Sequence, residues 1–293
     1  MRADQSSLLL ERMQLPAHRL LKNEALNNFY CMKGYVVLPD VLNADEIAEL
    51  RSYYTSNFNT GEGMFVSHTG PDYNRNKQTS EKIYSIQQRG LNEYLMPHRQ
   101  MVSLFAAKRP EGNNAFRLHQ DWCIVDESKY AVAQIWIALA DLTANEGTLI
   151  AVPGSHLYFL NQRSGSLGIK FLEHDERFNT VIKTFEVKAG TAVVYHPSLF
   201  HGSLDNHSTA DRLATITAVC HPDATRLYYH KNGNTLETYE LSDEDLFSRL
   251  EPLAQGALPK GKLLETRQGF HNINEDITED LFLKRYSEEQ HAE

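Results

Sequence analysis

A chain of 293 residues with 41% hydrophobic and 23% charged side chains has the composition of a globular protein large enough to bury a substantial core. Its formal net charge of -9 argues against nonspecific binding to nucleic acid or to an anionic membrane, where a basic face is required. The opening residues carry no basic-then-apolar leader, no apolar run nears the length of a membrane helix, and Cys31, Cys123 and Cys220 are too few and too far apart for a disulfide framework; a cytoplasmic location is expected.

Residues 17–60 read as helix, strand, helix. Gly34-Tyr35-Val36-Val37-Leu38-Pro39 is a short β run stopped by proline, and Asn43 with Asp45 and Glu46 behind it is a helix start whose apolar positions are Ala44, Ile47 and Leu50. Residues 60–82 are polar and glycine-containing without sustained periodicity, which with their aromatics points to a lid. His68, Tyr73, Arg75 and Lys77 there, and the stretch 158–163, mix rings and cations that suit either clasping a carboxylated small molecule or, equally, a solvated surface. From residue 100 to 230 short β runs recur between turns, among them Ala131-Val132-Ala133-Gln134-Ile135-Trp136-Ile137, Thr148-Leu149-Ile150-Ala151-Val152 and Thr191-Ala192-Val193-Val194-Tyr195. That spacing predicts a double-sheet β fold rather than alternating β/α units. Residues 235–290 return to helix, opening with Ser242 as a cap, and a single domain over 1–293 is expected.

The β region also holds the chemistry. His119-Gln120-Asp121, completed far downstream by His201, is the set of two imidazoles and one carboxylate that holds non-haem Fe(II) on one face and leaves positions open for substrate and dioxygen. Arg212, eleven residues past the second histidine, offers a planar fork for an incoming carboxylate. With 13 His and 38 acidic residues, chance alone supplies roughly two His-x-acid pairs, so position has to discriminate. Of the other pairs, His174/Glu176 lies in a charged stretch, His291/Glu293 ends the chain, and His221/Asp223 follows a β run but finds its later histidines only in His230, His271 and His291.

The ordered set His119-Gln120-Asp121, Trp136, Glu146-Gly147-Thr148-Leu149, Val152-Pro153-Gly154-Ser155-His156, Ala189-Gly190-Thr191, His201-Gly202-Ser203 and Arg212 resembles the phytanoyl-CoA dioxygenase family of Fe(II)- and 2-oxoglutarate-dependent oxygenases, over roughly residues 28–58 and 100–230. The resemblance implies a mainly β fold with flanking helices (α+β), a double-stranded β-helix or cupin-like jelly roll. It implies Fe(II) on His119, Asp121 and His201, the distal carboxylate of 2-oxoglutarate on Arg212, and Gln120, Trp136 and Ser203 lining the co-substrate pocket. The expected reaction is hydroxylation of an unactivated C–H in a small organic molecule (amino acid, peptide or natural-product intermediate), using O2 and releasing succinate and CO2. In halogenating relatives the carboxylate position is a small residue; here Asp121 fills it, which favours hydroxylation, with desaturation, epoxidation and ring formation open to the same ligands. A non-catalytic jelly-roll sensor and a cupin-like metal enzyme without 2-oxoglutarate are the alternatives. A small-molecule partner is expected, with no nucleic acid and no membrane; neither the substrate nor the oligomeric state is legible.

Overall fold

The first helix among the described residues is α1 (Glu24–Lys33), capped by Asn23, whose side chain accepts from Leu26 N. The computed structural model describes residues 18–58, 63–68, 70–110, 112–158, 162–168, 180–272 and 278–290. Helix α1 stops at Gly34, which takes a φ of 76° and closes the last turn onto Tyr30 O. A side chain there is excluded twice over, because a Cβ would sit 2.5 Å from His156 Nδ1. Helix α2 (Ala44–Asn57) starts with a reciprocal capping box between Asn43 and Glu46.

Two antiparallel sheets follow. The larger comprises β1 (Tyr35–Leu38), β2 (Met64–Val66), β3 (Arg99–Lys108), β5 (Val132–Ala138), β8 (Ala192–Tyr195) and β10 (Arg212–Cys220), in the order β1-β8-β5-β10-β3-β2. The smaller contains β4 (Phe116–His119), β6 (Leu149–Ala151), β7 (Lys183–Thr184) and β9 (His201–Ser203), ordered β4-β9-β6-β7. This is the expected jelly roll, and the neighbour order far from sequence order is what brings remote residues to one cavity. In β5 the period of two sends Ala133, Ile135 and Ile137 outward into the main core, while Gln134 and Trp136 face the space between the sheets.

Leu50 and Tyr54 of α2 cover that outer face together with Ile83 and Leu91 of α3 (Tyr73–Tyr94). Burying each such side chain contributes about 1.5–3 kcal/mol. On the outer side of the smaller sheet, Phe282, Leu283 and Tyr286 of α6 (Glu279–Gln290) pack against Leu118, Ile150 and Phe200. Among the described residues no helix is long and apolar enough to cross a membrane.

The structure departs from the sequence reading in two places. Residues 73–82, expected as the tail of an irregular lid, are the first turns of α3, with Asp72 as cap; residues 59–62 and 69 lie outside the described residues. The helix escapes hydrophobic patterning because part of its buried face is polar. Asn76, Thr79, Ser80 and Gln87 are all buried, and Gln87 bonds Thr215 Oγ1 at 2.6 Å and Thr217 Oγ1 at 2.7 Å. Residues 235–290 are not only helical. Besides α4 (Asp243–Ser248), α5 (Leu250–Ala254) and α6 they include β12 (Thr235–Glu240) and β13 (Leu263–Gln268), which with β11 (Leu227–Asn232) form a third sheet in the order β11-β12-β13. All six residues of β13 are exposed, so no alternation of apolar and polar residues marks it as a strand.

Candidate active site

His119 ends β4 and His201 begins β9, and the two are direct partners in the antiparallel register. Residues 82 positions apart in the sequence (201 against 119) therefore come to a ring-to-ring distance of 4.3 Å. A register irregularity between Phe116 and His119 is the kind of local kink that re-aims a side chain at a sheet end. The approach of the strands requires Gly202, where a Cβ would lie 2.4 Å from Phe116 O. Asp121 lies two residues past β4, its backbone N held by Pro197 O at 2.8 Å. Its carboxylate oxygens come to 3.7 Å from His119 Nε2 and 3.6 Å from His201 Nε2.

The orientation of both rings follows from their other nitrogen. His119 Nδ1 donates to Arg117 O at 2.9 Å and His201 Nδ1 to Leu199 O at 3.0 Å. Each Nε2 is left with its lone pair directed at the shared space. Phe116 meets the His119 ring edge-on at 4.4 Å, and Tyr195 lies 4.4 Å from the His201 ring. Burial, reinforced by the neighbouring His119, pulls the His201 pKa down to about 4 against the pull of Asp121. For Asp121 burial works upward, but the charges of His201 and His119 and the His119 hydrogen bond outweigh it, and the net shift is down. A neutral His201 beside an ionised carboxylate is the protonation state a divalent cation requires. One ligand atom from each of the three residues lies within 4.8 Å of the others, the sole such group of three among the described residues.

These residues open on a cavity of about 260 Å³. Arg212, the first residue of β10, borders it opposite the histidines' sheet. Its guanidinium is buried, lies 6.0 Å from the Trp136 ring, donates a long bond of 3.4 Å to Ala106 O, and leaves Nε without a partner. Burial draws its pKa down to about 10. In register beside it, buried Lys108 directs Nζ at the carbonyls of Ser203 (3.3 Å) and Leu204 (2.6 Å). Burial first, then the charge of Arg212, brings the Lys108 pKa to about 7 against the opposing pull of Asp205. That end of the cavity is therefore positive and short of an acceptor, which suits an anionic group. The donor set and the under-partnered guanidinium fit a divalent metal with a carboxylate-bearing co-substrate.

Of the residues expected at the pocket, His119, Asp121, His201, Arg212, Trp136 and Ser203 all border it. Gln120 does not. Successive residues of an extended segment point to opposite sides, and Gln120 turns inward to give its Nε2 to Ser198 O at 2.6 Å. Cavity positions the sequence reading passed over are Gln134 and Tyr195, paired across β5 and β8; a glutamine inside the apolar run 131–139 was the available signal. His68, Tyr73, Arg75 and Lys77 do not line the cavity. Arg75 lies over the Phe58 ring at 5.3 Å, and Lys77 pairs with Asp243 at 3.3 Å. In the stretch 158–163, residues 159–161 lie outside the described residues. The pair His221/Asp223 stands apart, its ring 4.2 Å from that of His18, while His174/Glu176 and His291/Glu293 lie outside the described residues. The Pro153-Gly154-Ser155-His156 motif is structural: Ser155 Oγ accepts from Phe200 N at 2.9 Å, and His156 Nε2 donates to Cys31 O at 3.0 Å.

Behind Asp121 stands an unanticipated buried ion pair. Arg163 Nε donates to Asp121 O at 2.9 Å, and its Nη2 to Glu127 Oε1 at 2.6 Å, with both side chains nearly inaccessible. Removing one member strands the other, at a cost of about 3–5 kcal/mol. Arg163→Met is expected to lower the melting temperature and weaken iron binding by about tenfold or more, as loss of an outer-shell partner does. The double change Arg163→Met with Glu127→Leu should recover stability but not iron affinity. Unchanged iron affinity in Arg163→Met, by titration, would show that the pair does not position Asp121.

Residues 74–214 match the family model described as phytanoyl-CoA dioxygenase (PhyH). Among curated proteins, the chain is 32% identical over 129 residues to a phytanoyl-CoA dioxygenase of Arabidopsis thaliana, covering 43% of this chain and 46% of that protein. It is 28% identical over 120 residues to phytanoyl-CoA dioxygenase domain-containing protein 1 of Mus musculus, covering 38% and 41%. The chain thus spans less than half the length of these curated relatives in the match. Among solved structures it is similar to HygX from Streptomyces hygroscopicus with nickel, 2-oxoglutarate and hygromycin B bound, with a TM-score of 0.50 at 13% identity over 82% of this chain and 98% of that one. A likeness at that identity bears on the fold.

Proposed function

We propose, from the match of residues 74–214 to the phytanoyl-CoA dioxygenase family model, that this chain is an Fe(II)- and 2-oxoglutarate-dependent oxygenase of that family that hydroxylates an unactivated C–H of a small organic molecule. The observation that carries this reading is the joint presence, on one cavity, of the His119, Asp121 and His201 ligand atoms and the under-partnered Arg212 guanidinium. Bound there, iron with 2-oxoglutarate and O2 supplies the oxidising power, the co-substrate leaving as succinate and CO2.

The protein's own part is positioning and exclusion. His119 and His201 would present Nε2 and Asp121 one negative charge, leaving the remaining positions to the co-substrate and O2. Arg212 would hold the distal carboxylate of 2-oxoglutarate, with Ser203 and Trp136 beside it. Val66, Val102, Leu104 and Ile216 form an apolar wall that suits an uncharged C–H-bearing portion of the substrate and keeps water from the reacting atoms. Because the cations of residues 68–77 are not part of that wall, a substrate clasped by its carboxylate loses support. Natural-product intermediates with an apolar reacting end are the better class, and the catalytic unit is proposed to be a single domain.

Anaerobic addition of 2-oxoglutarate to the Fe(II)-loaded protein should give the weak visible charge-transfer band of a chelated 2-oxo acid. Succinate release would then score a substrate screen. Iron bound in full with no band would overturn the reading.

A further inference from the structure

Among the described residues, no strand pairs with the outer edge of the third sheet. β13 is its outermost strand, and all six of its residues are exposed, including Leu263 at 46% and Leu264 at 44%. The sequence Leu263-Leu264-Glu265-Thr266-Arg267-Gln268 has no proline or lysine to blunt the edge, and the one irregularity, which leaves Leu264 out of register, spares Glu265–Gln268, whose backbone donors and acceptors are open to another strand.

We propose that β13 pairs antiparallel with β13 of a second copy of this chain, about a two-fold axis through Thr266, fusing two three-stranded sheets into one of six. The choice of partner rests on the charge pattern of the strand. A two-fold axis perpendicular to the sheet keeps each face on its own side, and residues directly opposite one another share a face, so only residues of equal parity can pair. From Glu265 to Gln268 the strand follows β12 without irregularity, Thr238 facing Glu265 and Thr235 facing Gln268. An axis through Glu265 sets two carboxylates against each other, and one through Arg267 sets two guanidiniums together. An axis through Gln268 needs Gly269, whose φ of 69° takes it out of extended backbone. The axis through Thr266 puts Glu265 opposite Arg267 of the second copy, twice, with two threonines facing on the axis. Opposite charges and threonine pairs stabilise such ladders, and like charges oppose them.

Two further features fit. Arg267 is held at the strand end by the Phe270 ring, 5.1 Å from its guanidinium carbon. A groove of about 450 Å³ lies over one face of this sheet, lined by Leu227 and Tyr229 of β11, Leu236 and Thr238 of β12 and Glu265 and Arg267 of β13, so the face that carries the two charged side chains has open space for their pairing. An interface built on one strand is small, so a dimer in the micromolar range is expected.

Sedimentation velocity of the full chain from low to high micromolar concentration tests this. The wild type should dimerise with concentration, and Glu265→Arg or Arg267→Glu should each weaken the dimer by about tenfold or more. The double reversal E265R/R267E should restore it. Neither residue lines the active-site cavity and both are exposed, so melting temperature and iron content should stay at wild-type values. A monomer throughout the range, a dimer indifferent to the single reversals, or a double reversal as weak as its parents would each overturn the proposal.

Discussion

Replacing His201 with alanine is expected to lower iron binding and turnover by at least about a hundredfold, since loss of a mere outer-shell partner already costs 10–100-fold. The expectation follows from how little redundancy the site has. Three protein ligand atoms are grouped there and no fourth His, Cys, Asp or Glu joins them among the described residues. His201 is also the central one in the sheet, flanked in register by His119 on β4 and Ala151 on β6. Its ring is oriented by Leu199 O and leans on Tyr195, so the alanine variant removes the ligand and leaves the strand's pairing intact. Iron content and succinate release measured on His201→Ala, His196→Ala and His221→Ala separate ligand loss from general damage. The His196 and His221 rings do not border the cavity, and their variants should keep full iron. An iron-replete, active His201→Ala protein would sink the assignment of the metal centre.

The histidines and Asp121 were legible because their chemistry is carried by residue type and order, and the double-sheet fold because short β-branched runs with turns between them leave few alternatives. What the sequence concealed has physical causes. Helix α3 hides since Asn76, Thr79, Ser80 and Gln87 occupy buried positions where apolar residues would have shown a helical period. β13 hides because all six of its residues are exposed, so it carries no buried face to read. The register that sets His119 against His201 depends on an irregularity in β4, and no local propensity encodes that. Gln120 was carried over by resemblance, yet the alternation of an extended segment sends it to Ser198 rather than to the cavity. Arg163 and Glu127, 36 residues apart, offer no local sequence signal for a pair that only the tertiary fold brings together.

Arg212→Leu is expected to raise the KM for 2-oxoglutarate by roughly a hundredfold, which corresponds to about 3 kcal/mol for losing one partner of a buried charge pair, while stability is held or improved. The two halves of that expectation come from one observation. A guanidinium has five donors, and here one long bond to Ala106 O serves it while Nε has no partner. Without an anion, such a group is a cost to the fold, made larger by buried Lys108 in register beside it. A leucine is shorter but removes the charge and its cost, in the way that replacing buried ionic groups by apolar ones is often stabilising. Were Arg212 structural, the same change would lower the melting temperature and leave the KM alone. Arg212→Lys adds a second discrimination, since lysine keeps the charge but cannot form two parallel bonds to a carboxylate. It should fall between wild type and leucine in KM, with iron content unchanged in all three proteins. Melting curves, iron content and KM measured together therefore distinguish a co-substrate anchor from a strand-end cation.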